Sequence, residues 1–412
     1  MKRKIALLLA TLMVGSLSGC NIAYESELES TGDSEIVSDA QVVIDFCYTN
    51  EAYKEYFEFC EKEFEKRNDK VDIILHCQTE NLEYLDDIAN TTYTEDSFMD
   101  VYMLSDSNIA TAYLAGVAAK NTFDVFSEEN YCKTALNACS YGDVLVGYPL
   151  SYDTTFFVYR SDLLSGDAVK TYYDLKLFSD EADYSAEEYM MIESIFKCDI
   201  TDIYNVYGFI GDGINIGGDS GSDATEVDVY NEKTARLAEE YMALLEYFSI
   251  NMNEEYDDIL AKLLEGKYIS TIASTSSLDK IYESELPFEI EEIPNYSAAL
   301  ETAPLSITQC VVVNLYSPHN AVASDFARFV TYEAASYMYD MSSKLSARRI
   351  DYEDDNLEKI YISYEKASIK NKLQYGEQFY PLVEIAMHNI AAGNPVEDEL
   401  TNVQEHMKNQ LN

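Results

Sequence analysis

The chain has 412 residues, of which 47% are hydrophobic, and its 75 acidic against 28 basic residues give a formal net charge of −47. Its length and apolar content are enough for more than one lobe, each with a core of its own. The negative charge disfavours binding to nucleic acid, to anionic lipid headgroups and to anionic solutes. Solubility is a simpler explanation of the same charge, and it implies no particular ligand.

Residues 1–20 have the pattern of an export signal. A basic start is followed by an apolar run at 5–14, too short to span a bilayer, and then by Leu17-Ser18-Gly19-Cys20. This tetrapeptide resembles the bacterial lipobox, in which the chain is cut before a cysteine that carries acyl chains such as palmitate. The resemblance implies a signal peptide at 1–19 and a lipid anchor at Cys20, on the outer face of a Gram-positive cytoplasmic membrane. An ordinary secretory signal that ends near a cysteine is the alternative.

Alternating strand and helix patterns follow a polar stretch at 20–40, which we interpret as a flexible tether. The apolar run at 42–46 is typical of a buried strand. Over 53–64, apolar residues recur every three or four positions and predict a helix. Further strands are predicted at 71–75 and 101–104, with a helical stretch between them. This alternation indicates βαβ units and a parallel sheet.

The second half of the chain repeats the alternation. No segment after the signal approaches the ~20 apolar residues of a membrane span, and no long Gly/Ser linker divides the chain. We therefore predict two α/β lobes that are packed together and joined by strands. The predicted elements are helices at 237–248 (capped by Asn231), 259–264 (ended by Gly266), from Pro381 to before Gly393, and 400–411, with strands at 269–273 and 310–313.

Seven cysteines remain after Cys20, and none has CxxC spacing. An odd number leaves at least one thiol free unless two chains pair. Cys60 and Cys310 fall in apolar patterns, as cysteines of a hydrophobic core do. Cys132 and Cys139 are close enough in sequence to bridge a loop, and the sequence leaves their pairing open.

Four segments in succession carry a family resemblance. Residues 147–164 resemble the crossover between lobes in extracellular solute-binding proteins of ABC importers, and 100–106 are similar to the strand and loop that precede it. Residues 266–272 resemble a later strand of that family. Residues 314–333 resemble a helix of its carbohydrate-binding members. The chain is identified as a member of the family, and its pattern is most similar to the maltodextrin-binding type.

The resemblance implies a fold of the periplasmic-binding-protein type II, with two α/β lobes around a ligand cleft, joined by hinge strands. Lobe 1 is expected at 41–147 plus 304–339, and lobe 2 at 148–303 plus 340–412. The implied function is the capture of a small solute, foremost an oligosaccharide. A monomeric, membrane-anchored protein would deliver that solute to the permease subunits of an ABC importer, without catalysis and without a cofactor.

Ligands of open α/β sheets bind beyond the carboxyl ends of the strands. The loops there carry carboxylates, amides and hydroxyls, which suit the hydroxyls of a neutral sugar. Relatives often carry a stacking Trp where this chain has Ser276, and the chain has no Trp, so Tyr152, Tyr204 and Tyr207 are the expected aromatic platforms. The expected ligand-binding residues are Thr49, Asn50, Glu51, Ser105, Asp106, Ser151, Tyr152, Asp153, Tyr204, Tyr207, Asp212, Ser274, Ser276 and Gln309.

Other classes of function stay open. Among 75 acidic residues, a catalytic pair of a surface glycosidase is conceivable, and the charge would suit a cationic solute that is not a sugar. Gly218-Asp219-Ser220-Gly221 spells the nucleophile motif of chymotrypsin-like proteases, but only His76 precedes it and the α/β pattern does not fit that fold. An acidic loop near the cleft is therefore expected there. The four scattered histidines predict no metal site.

Overall fold

The computed structural model describes residues 42–78, 83–94, 98–183, 185–186 and 190–411. The predicted signal peptide, the predicted lipidation site Cys20 and the predicted tether lie outside these residues. Among the helices that are described, none combines the length and the apolar character needed to cross a bilayer.

Two large β-sheets organise the described residues. One has the strand order β14-β6-β13-β3-β1-β2 and the other β12-β7-β11-β8, while β4–β5 and β9–β10 form separate hairpins. The strands are β1 (Val42–Tyr48), β2 (Val71–Cys77), β3 (Val101–Ser105), β4 (Ser140–Tyr141), β5 (Val144–Leu145), β6 (Tyr148–Asp153), β7 (Thr155–Arg160), β8 (Ser194–Phe196), β9 (Asn215–Gly217), β10 (Asp223–Asp228), β11 (Tyr268–Ser274), β12 (Phe288–Glu291), β13 (Ile307–Val313) and β14 (Leu345–Ser346).

The helices follow the predicted apolar spacing. The helix expected to begin at Pro381 begins two residues earlier, at Phe379. Pro381 fits in the first turn, because the N–H groups there have no partner within the helix and the missing N–H of proline costs nothing. The helices are α1 (Lys54–Arg67), α2 (Tyr84–Thr94), α3 (Ile109–Leu114), α4 (Lys133–Ala138), α5 (Tyr172–Glu181), α6 (Ile203–Tyr207), α7 (Glu232–Phe248), α8 (Tyr256–Leu264), α9 (Leu278–Tyr282), α10 (Asn320–Arg328), α11 (Met338–Ser342), α12 (Asp355–Glu365), α13 (Phe379–Ala391) and α14 (Val396–Leu411).

The six-stranded sheet is mixed rather than parallel throughout. β1 pairs in parallel with β2 and with β3, as the predicted βαβ units require. β13 returns from the second half of the chain and lies antiparallel between β3 and β6. The carboxyl ends of β1, β3 and β6 do not all neighbour one another, because β13 separates β3 from β6.

Each large sheet has a hydrophobic core of its own. One cluster packs Phe157 of the four-stranded sheet with Leu237 of α7 and Met387 of α13. Another packs Tyr102 and Cys310 on one face of the six-stranded sheet. The two clusters share no residue, so each sheet supports a separate lobe, and we call them the first lobe (six strands) and the second lobe (four strands).

The chain first crosses between the lobes at Thr154. β6 ends at Asp153 in the first sheet, and β7 begins at Thr155 in the second. The expected boundary at 147/148 assigned β6 to the second lobe, and the expected range 340–412 assigned β14 there too. The structure corrects both assignments, because β6 pairs with β13 and β14 along the edge of the first sheet.

A buried lysine joins the two lobes. The Nζ of Lys372, beside the core of the second lobe, donates to the backbone oxygens of Asn137 (2.6 Å) and Ser140 (2.7 Å) in the first lobe. It also donates to the backbone oxygen of Ser220 (2.9 Å), between β9 and β10 of the second lobe. Lys372 is only 6% exposed. Its three ammonium hydrogens each have an acceptor, which is the condition for burying this charge at tolerable cost.

The Gly218–Gly221 turn between β9 and β10 presents its backbone to that lysine. Gly218 (φ 63°) and Gly221 (φ 74°) are left-handed, a conformation that suits glycine. A Cβ on Gly221 would lie 2.9 Å from the oxygen of Lys370, so a side chain would clash. The Ser220 hydroxyl contacts the Ser222 hydroxyl at 2.7 Å. The motif is therefore a tight turn at a contact between lobes.

We expect Lys372→Met to lower the free energy of unfolding by about 3 kcal/mol, because three buried carbonyl oxygens lose their donor. Urea unfolding of the purified protein measures the loss. Lys133→Met is the matched control: the exposed Nζ of Lys133 contacts Asp219 of the same turn at 2.6 Å, and surface ion pairs contribute little. Equal losses in the two variants would contradict a special role for the buried ammonium.

Candidate functional site

A cavity of about 410 Å³ opens where the chain crosses between the lobes. Its lining combines the end of β6 and the starts of β7 and β13 with the segments that follow β8 and β11. The carboxyl ends of strands in an open α/β sheet are the usual place for a ligand. The lining residues are mostly polar: Asp153, Thr154, Thr155, Asp199, Asp202, Tyr204, Asn205, Tyr256, Ser274, Thr275, Ser276, Leu305, Ile307 and Lys344.

Asp153 connects the lobes at the cavity. Its Oδ1 accepts a hydrogen bond from the Thr275 hydroxyl at 2.8 Å and lies 3.9 Å from the Nζ of Lys344. The backbone N–H of Thr275 donates to the oxygen of Thr154 at 3.1 Å. A carboxylate has about four acceptor positions, so Asp153 keeps capacity for the hydroxyl of a ligand.

Two hydroxyls that line the cavity are buried. Thr154 and Thr155 are 4% and 3% exposed, and among the described residues no group forms a hydrogen bond with either Oγ1. A buried hydroxyl without a partner costs free energy. A polar group of a bound ligand would supply the missing bonds.

Carboxylates after β8 fix the backbone of the cavity wall. Asp199 is buried and accepts from the backbone N–H of Thr201 (2.7 Å) and from its hydroxyl (2.8 Å). Asp202 caps α6 and accepts from the backbone N–H of Tyr204 at 2.8 Å. These bonds hold Tyr204 and Asn205 at the start of a short helix, where both line the cavity.

Tyrosine and serine hydroxyls form the wall after β11. The hydroxyl of Tyr256 accepts from the backbone N–H of Ser274 at 3.0 Å and contacts the Ser277 hydroxyl at 2.7 Å. The hydroxyls of Ser274 and Ser276 lie 2.6 Å apart. Because these bonds fix its hydroxyl, Tyr256 presents a ring of defined position to the cavity.

Tyr204 is the second aromatic ring of the lining. The Nζ of Lys370 lies 5.5 Å from the centroid of this ring and 5.2 Å from that of Tyr380, which is cation–π distance. Burial raises the pKa of the Tyr204 hydroxyl, and Lys370 partly offsets the effect. The hydroxyl therefore stays protonated and able to donate.

Asp106 is a wholly buried carboxyl group close to these cations. It follows β3 directly and has no exposed surface, and the backbone N–H groups of Lys370 and Thr308 approach its carboxyl group and act to lower its pKa. Burial raises its pKa to about 7, although the ammonium groups of Lys372 and Lys370 act against the rise. Asp106 does not line the cavity, but its charge raises the pKa of Tyr204, which does.

The structure brings four of the sequence-predicted binding residues together at the cavity: Asp153, Tyr204, Ser274 and Ser276. Ser105 and Gln309 face each other on paired strands beside Asp106. The Ser105 hydroxyl contacts the Ser107 hydroxyl at 3.0 Å. The Oε1 of Gln309 is buried and lacks a hydrogen bond within the described part of the chain.

Other predicted residues have structural roles instead. Tyr152 is 1% exposed and stacks on Tyr364 with ring centroids 4.0 Å apart, so Tyr364 covers one face of its ring. Tyr207 is 2% exposed in the core of the second lobe. Ser151 is buried, and its hydroxyl contacts the Tyr53 hydroxyl at 2.7 Å. Both tyrosines face inward because the elements that carry them are covered on that side.

The remaining predicted residues lie away from the cavity. Asp212 pairs with Lys233 at 2.5 Å. Asn50 caps a short 3₁₀ turn by accepting from the backbone N–H of Ala52 at 2.9 Å. Thr49 is half-buried after β1, and Glu51 borders a separate surface groove beside α1.

Sequence reasoning missed several lining residues. Thr154 and Thr155 follow Asp153 directly, and the crossover pattern was a signal that could have included them. Lys344 and Tyr256 reach the cavity from elements distant in sequence, and only the folded chain shows that they are neighbours.

Comparisons with known proteins give a consistent result. A family model described as bacterial extracellular solute-binding protein matches residues 61–347. The maltodextrin-binding protein MdxE of Bacillus subtilis is 24% identical over 345 residues, which cover 82% of this chain and 79% of the relative.

Solved structures show the same fold. An extracellular solute-binding protein from Staphylococcus aureus in complex with maltose has a TM-score of 0.78 at 16% identity, covering 91% of this chain and 99% of that one. MalE from Listeria monocytogenes in complex with maltose has a TM-score of 0.73 at 18% identity, with 90% and 98% covered. A cyclo/maltodextrin-binding protein complexed with maltotetraose has a TM-score of 0.76 at 12% identity, covering 93% of this chain and 99% of that one. The predicted fold of two α/β lobes is confirmed.

We expect Asp106→Asn to stabilise the ligand-free protein at pH 8. The folded state of the wild type holds the Asp106 proton up to a pKa of about 7, against an ordinary value of 3.8. Between these values the folded state binds more protons than the unfolded state, so stability falls as the pH rises from 4 to 7. Between pH 4 and pH 8, the Asp106 proton alone lowers the free energy of unfolding of the wild type by about 4 kcal/mol.

Thermal unfolding of the wild type and the variant from pH 4 to pH 8 measures this dependence. The variant should lose most of it, because an amide does not titrate. Asp167→Asn is the control, since the pKa of that surface carboxyl is lowered by Lys170 rather than raised. A wild type whose stability does not decline over this range would refute the assignment to Asp106.

Proposed function

This chain belongs to the family of bacterial extracellular solute-binding proteins, and on that basis we propose that it captures an uncharged oligosaccharide in the cavity between its lobes. The captured sugar passes to the permease subunits of an ABC importer. The maltodextrin-binding relative, and the solved structures whose ligands are maltose or maltotetraose, support a carbohydrate as the solute.

The observation that carries the proposal is the pair of unpartnered hydroxyls at the crossover. Thr154 and Thr155 line the cavity, are buried, and have no hydrogen-bond partner among the described residues. Sugar hydroxyls both donate and accept, so a sugar can complete such sites in either role. Asp153 adjoins them and supplies acceptors.

Two aromatic rings suit the apolar faces of a sugar. Tyr204 and Tyr256 both line the cavity. Tyr204 belongs to α6, which precedes β9, and Tyr256 begins α8, which follows α7. We infer that these tyrosines replace the stacking tryptophans that the chain lacks. Their polar rims match an amphipathic ligand, since each carries a hydroxyl beside its apolar face.

Closure of the lobes on the ligand would use the crossings as hinges. The first crossing is at Thr154, and the chain returns between β12 and β13, where Leu305 and Ile307 line the cavity. A ligand that fills the cavity contacts both lobes, so its binding energy favours a closed arrangement. Capture by closure needs no reaction, which fits a binding protein rather than an enzyme.

We expect maltotetraose to raise the melting temperature of the purified protein. A ligand at ~100 times its Kd adds roughly 2.7 kcal/mol to the free energy of unfolding. Maltose, cellobiose and spermidine are compared at equal concentration. If spermidine alone stabilised the protein, the solute would be a cation and not a sugar. If shorter sugars were released during incubation, the protein would be a glycosidase.

Asp153→Asn tests where the sugar binds. The variant should weaken binding of maltotetraose at least tenfold with little change in melting temperature, because it removes a charged acceptor at the cavity. Asp212→Asn is the matched control, since Asp212 pairs with Lys233 outside the cavity. Equal affinities of the two variants in calorimetric titrations would contradict binding at Asp153.

We propose further that Cys20 carries the lipid anchor. Cys20→Ala should shift the protein from the membrane fraction to the medium, because alanine has no thiol to acylate and the chain never receives its acyl anchor. Cys77→Ala is the control, as Cys77 is an exposed cysteine of the folded part. A Cys20→Ala protein that still partitions with detergent as the wild type does would refute lipidation at this residue.

A further inference from the structure

Two cysteines meet in the core of the first lobe. The Sγ atoms of Cys139 and Cys310 lie 2.6 Å apart, although 171 positions separate the residues in sequence. Both side chains are wholly buried. Both are free thiols in the structure, and a disulfide bond, at about 2.05 Å, requires only a small further approach of the two sulfur atoms.

Regular structure fixes the backbone of both cysteines. Cys139 ends α4, and its carbonyl oxygen accepts from the backbone N–H groups of Val146 (3.0 Å) and Gly147 (2.9 Å). Cys310 lies inside β13, opposite Leu104 on one side and Pro149 on the other. These pairings fix the backbone positions from which the two side chains extend toward each other.

Gly147 leaves room for the two side chains. A Cβ at this position would lie 3.0 Å from the Cβ of Cys310 and 3.3 Å from that of Cys139. Both cysteine Cβ atoms therefore border the space that a side chain at position 147 would occupy. Any larger residue at 147 would push against the pair.

We propose that Cys139 and Cys310 form a structural disulfide in the exported protein. The family is extracellular, and disulfides form and persist outside the cytoplasm. Two thiols lose two protons and two electrons as the S–S bond forms. An external disulfide accepts the electrons through a mixed disulfide and is reduced to two thiols.

The proposed bond would have to form before the lobe is fully packed, because both side chains are wholly buried in the folded protein and an external disulfide could not reach them. Burial raises the pKa of the Cys310 thiol well above its ordinary value, so this thiol is a poor nucleophile in the folded state. The pairing also replaces the one that the sequence left open. Cys132 instead caps α4, with its Sγ accepting from the backbone N–H of Ala135 at 3.4 Å.

Peptide mapping of the full chain tests the proposal. Protein collected from outside the cell, or refolded with oxidised glutathione, is denatured in acid, alkylated without reductant and digested. We expect one cross-linked species that contains Cys139 and Cys310, is two hydrogen atoms lighter than the separate peptides, and divides on reduction. The other cysteines of the folded part, Cys47, Cys60, Cys77, Cys132 and Cys198, should be alkylated.

Alkylation of both Cys139 and Cys310 in each preparation would overturn the proposal, and so would a cross-link between Cys132 and Cys139. Reductant should lower the melting temperature of the wild type. It should leave that of Cys139→Ala unchanged, while the matched control Cys132→Ala keeps the wild-type response. The peptide mapping uses the wild-type chain, so it tests the disulfide even if one of the variants fails to fold. Neither result depends on which solute the protein binds.

Discussion

Two hydrophobic cores that share no residue are the constraint on which this molecule depends. Apolar burial is the main stabilising term in folding, and here it acts within each lobe. Polar contacts join the lobes: the Lys372 ammonium with the carbonyl oxygens of Asn137 and Ser140, and Asp153 with Thr275. Ring stacking adds to them, because Tyr364 of α12 lies on Tyr152 of β6. Polar contacts exchange readily with water and contribute little net free energy each. Two lobes joined in this way can change their relative position without exposing either core.

The cavity follows from the same constraint. Because the cores end on either side of the crossing, polar side chains at the strand ends face one another with hydrogen-bonding capacity left over. Thr154 and Thr155 are buried there, and within the described part of the chain their hydroxyls have no hydrogen-bond partner. Such groups lower the stability of the empty protein. Binding sites commonly carry this cost, because the groups that a ligand satisfies are unsatisfied without it.

Most of the fold could be predicted from periodicity, and only part of the site could. Buried strands such as β3 and striped helices such as α7 are local patterns, so the sequence shows them directly. The lobe to which β6 belongs is not a local property. It follows from the pairing of β6 with β13 and β14, which joins residues far apart in sequence. The same limit applies to Tyr152. Its place beside the crossover predicts a ring that faces the ligand. Only the folded chain shows that Tyr364, from a helix distant in sequence, stacks on this ring.

The cysteine pair bears on how the lobes stay joined. Lys372 binds the carbonyl oxygens of Asn137 and Ser140, and Cys139 lies between these two residues. A bond from Cys139 to Cys310 would tie this short segment to the middle of the first sheet. The acceptors for Lys372 would then be held by covalent structure as well as by backbone pairing. A rigid acceptor set favours a buried ammonium, because less ordering is required when the charge is taken from water. The disulfide and the lysine contact would thus reinforce each other at the boundary between the lobes.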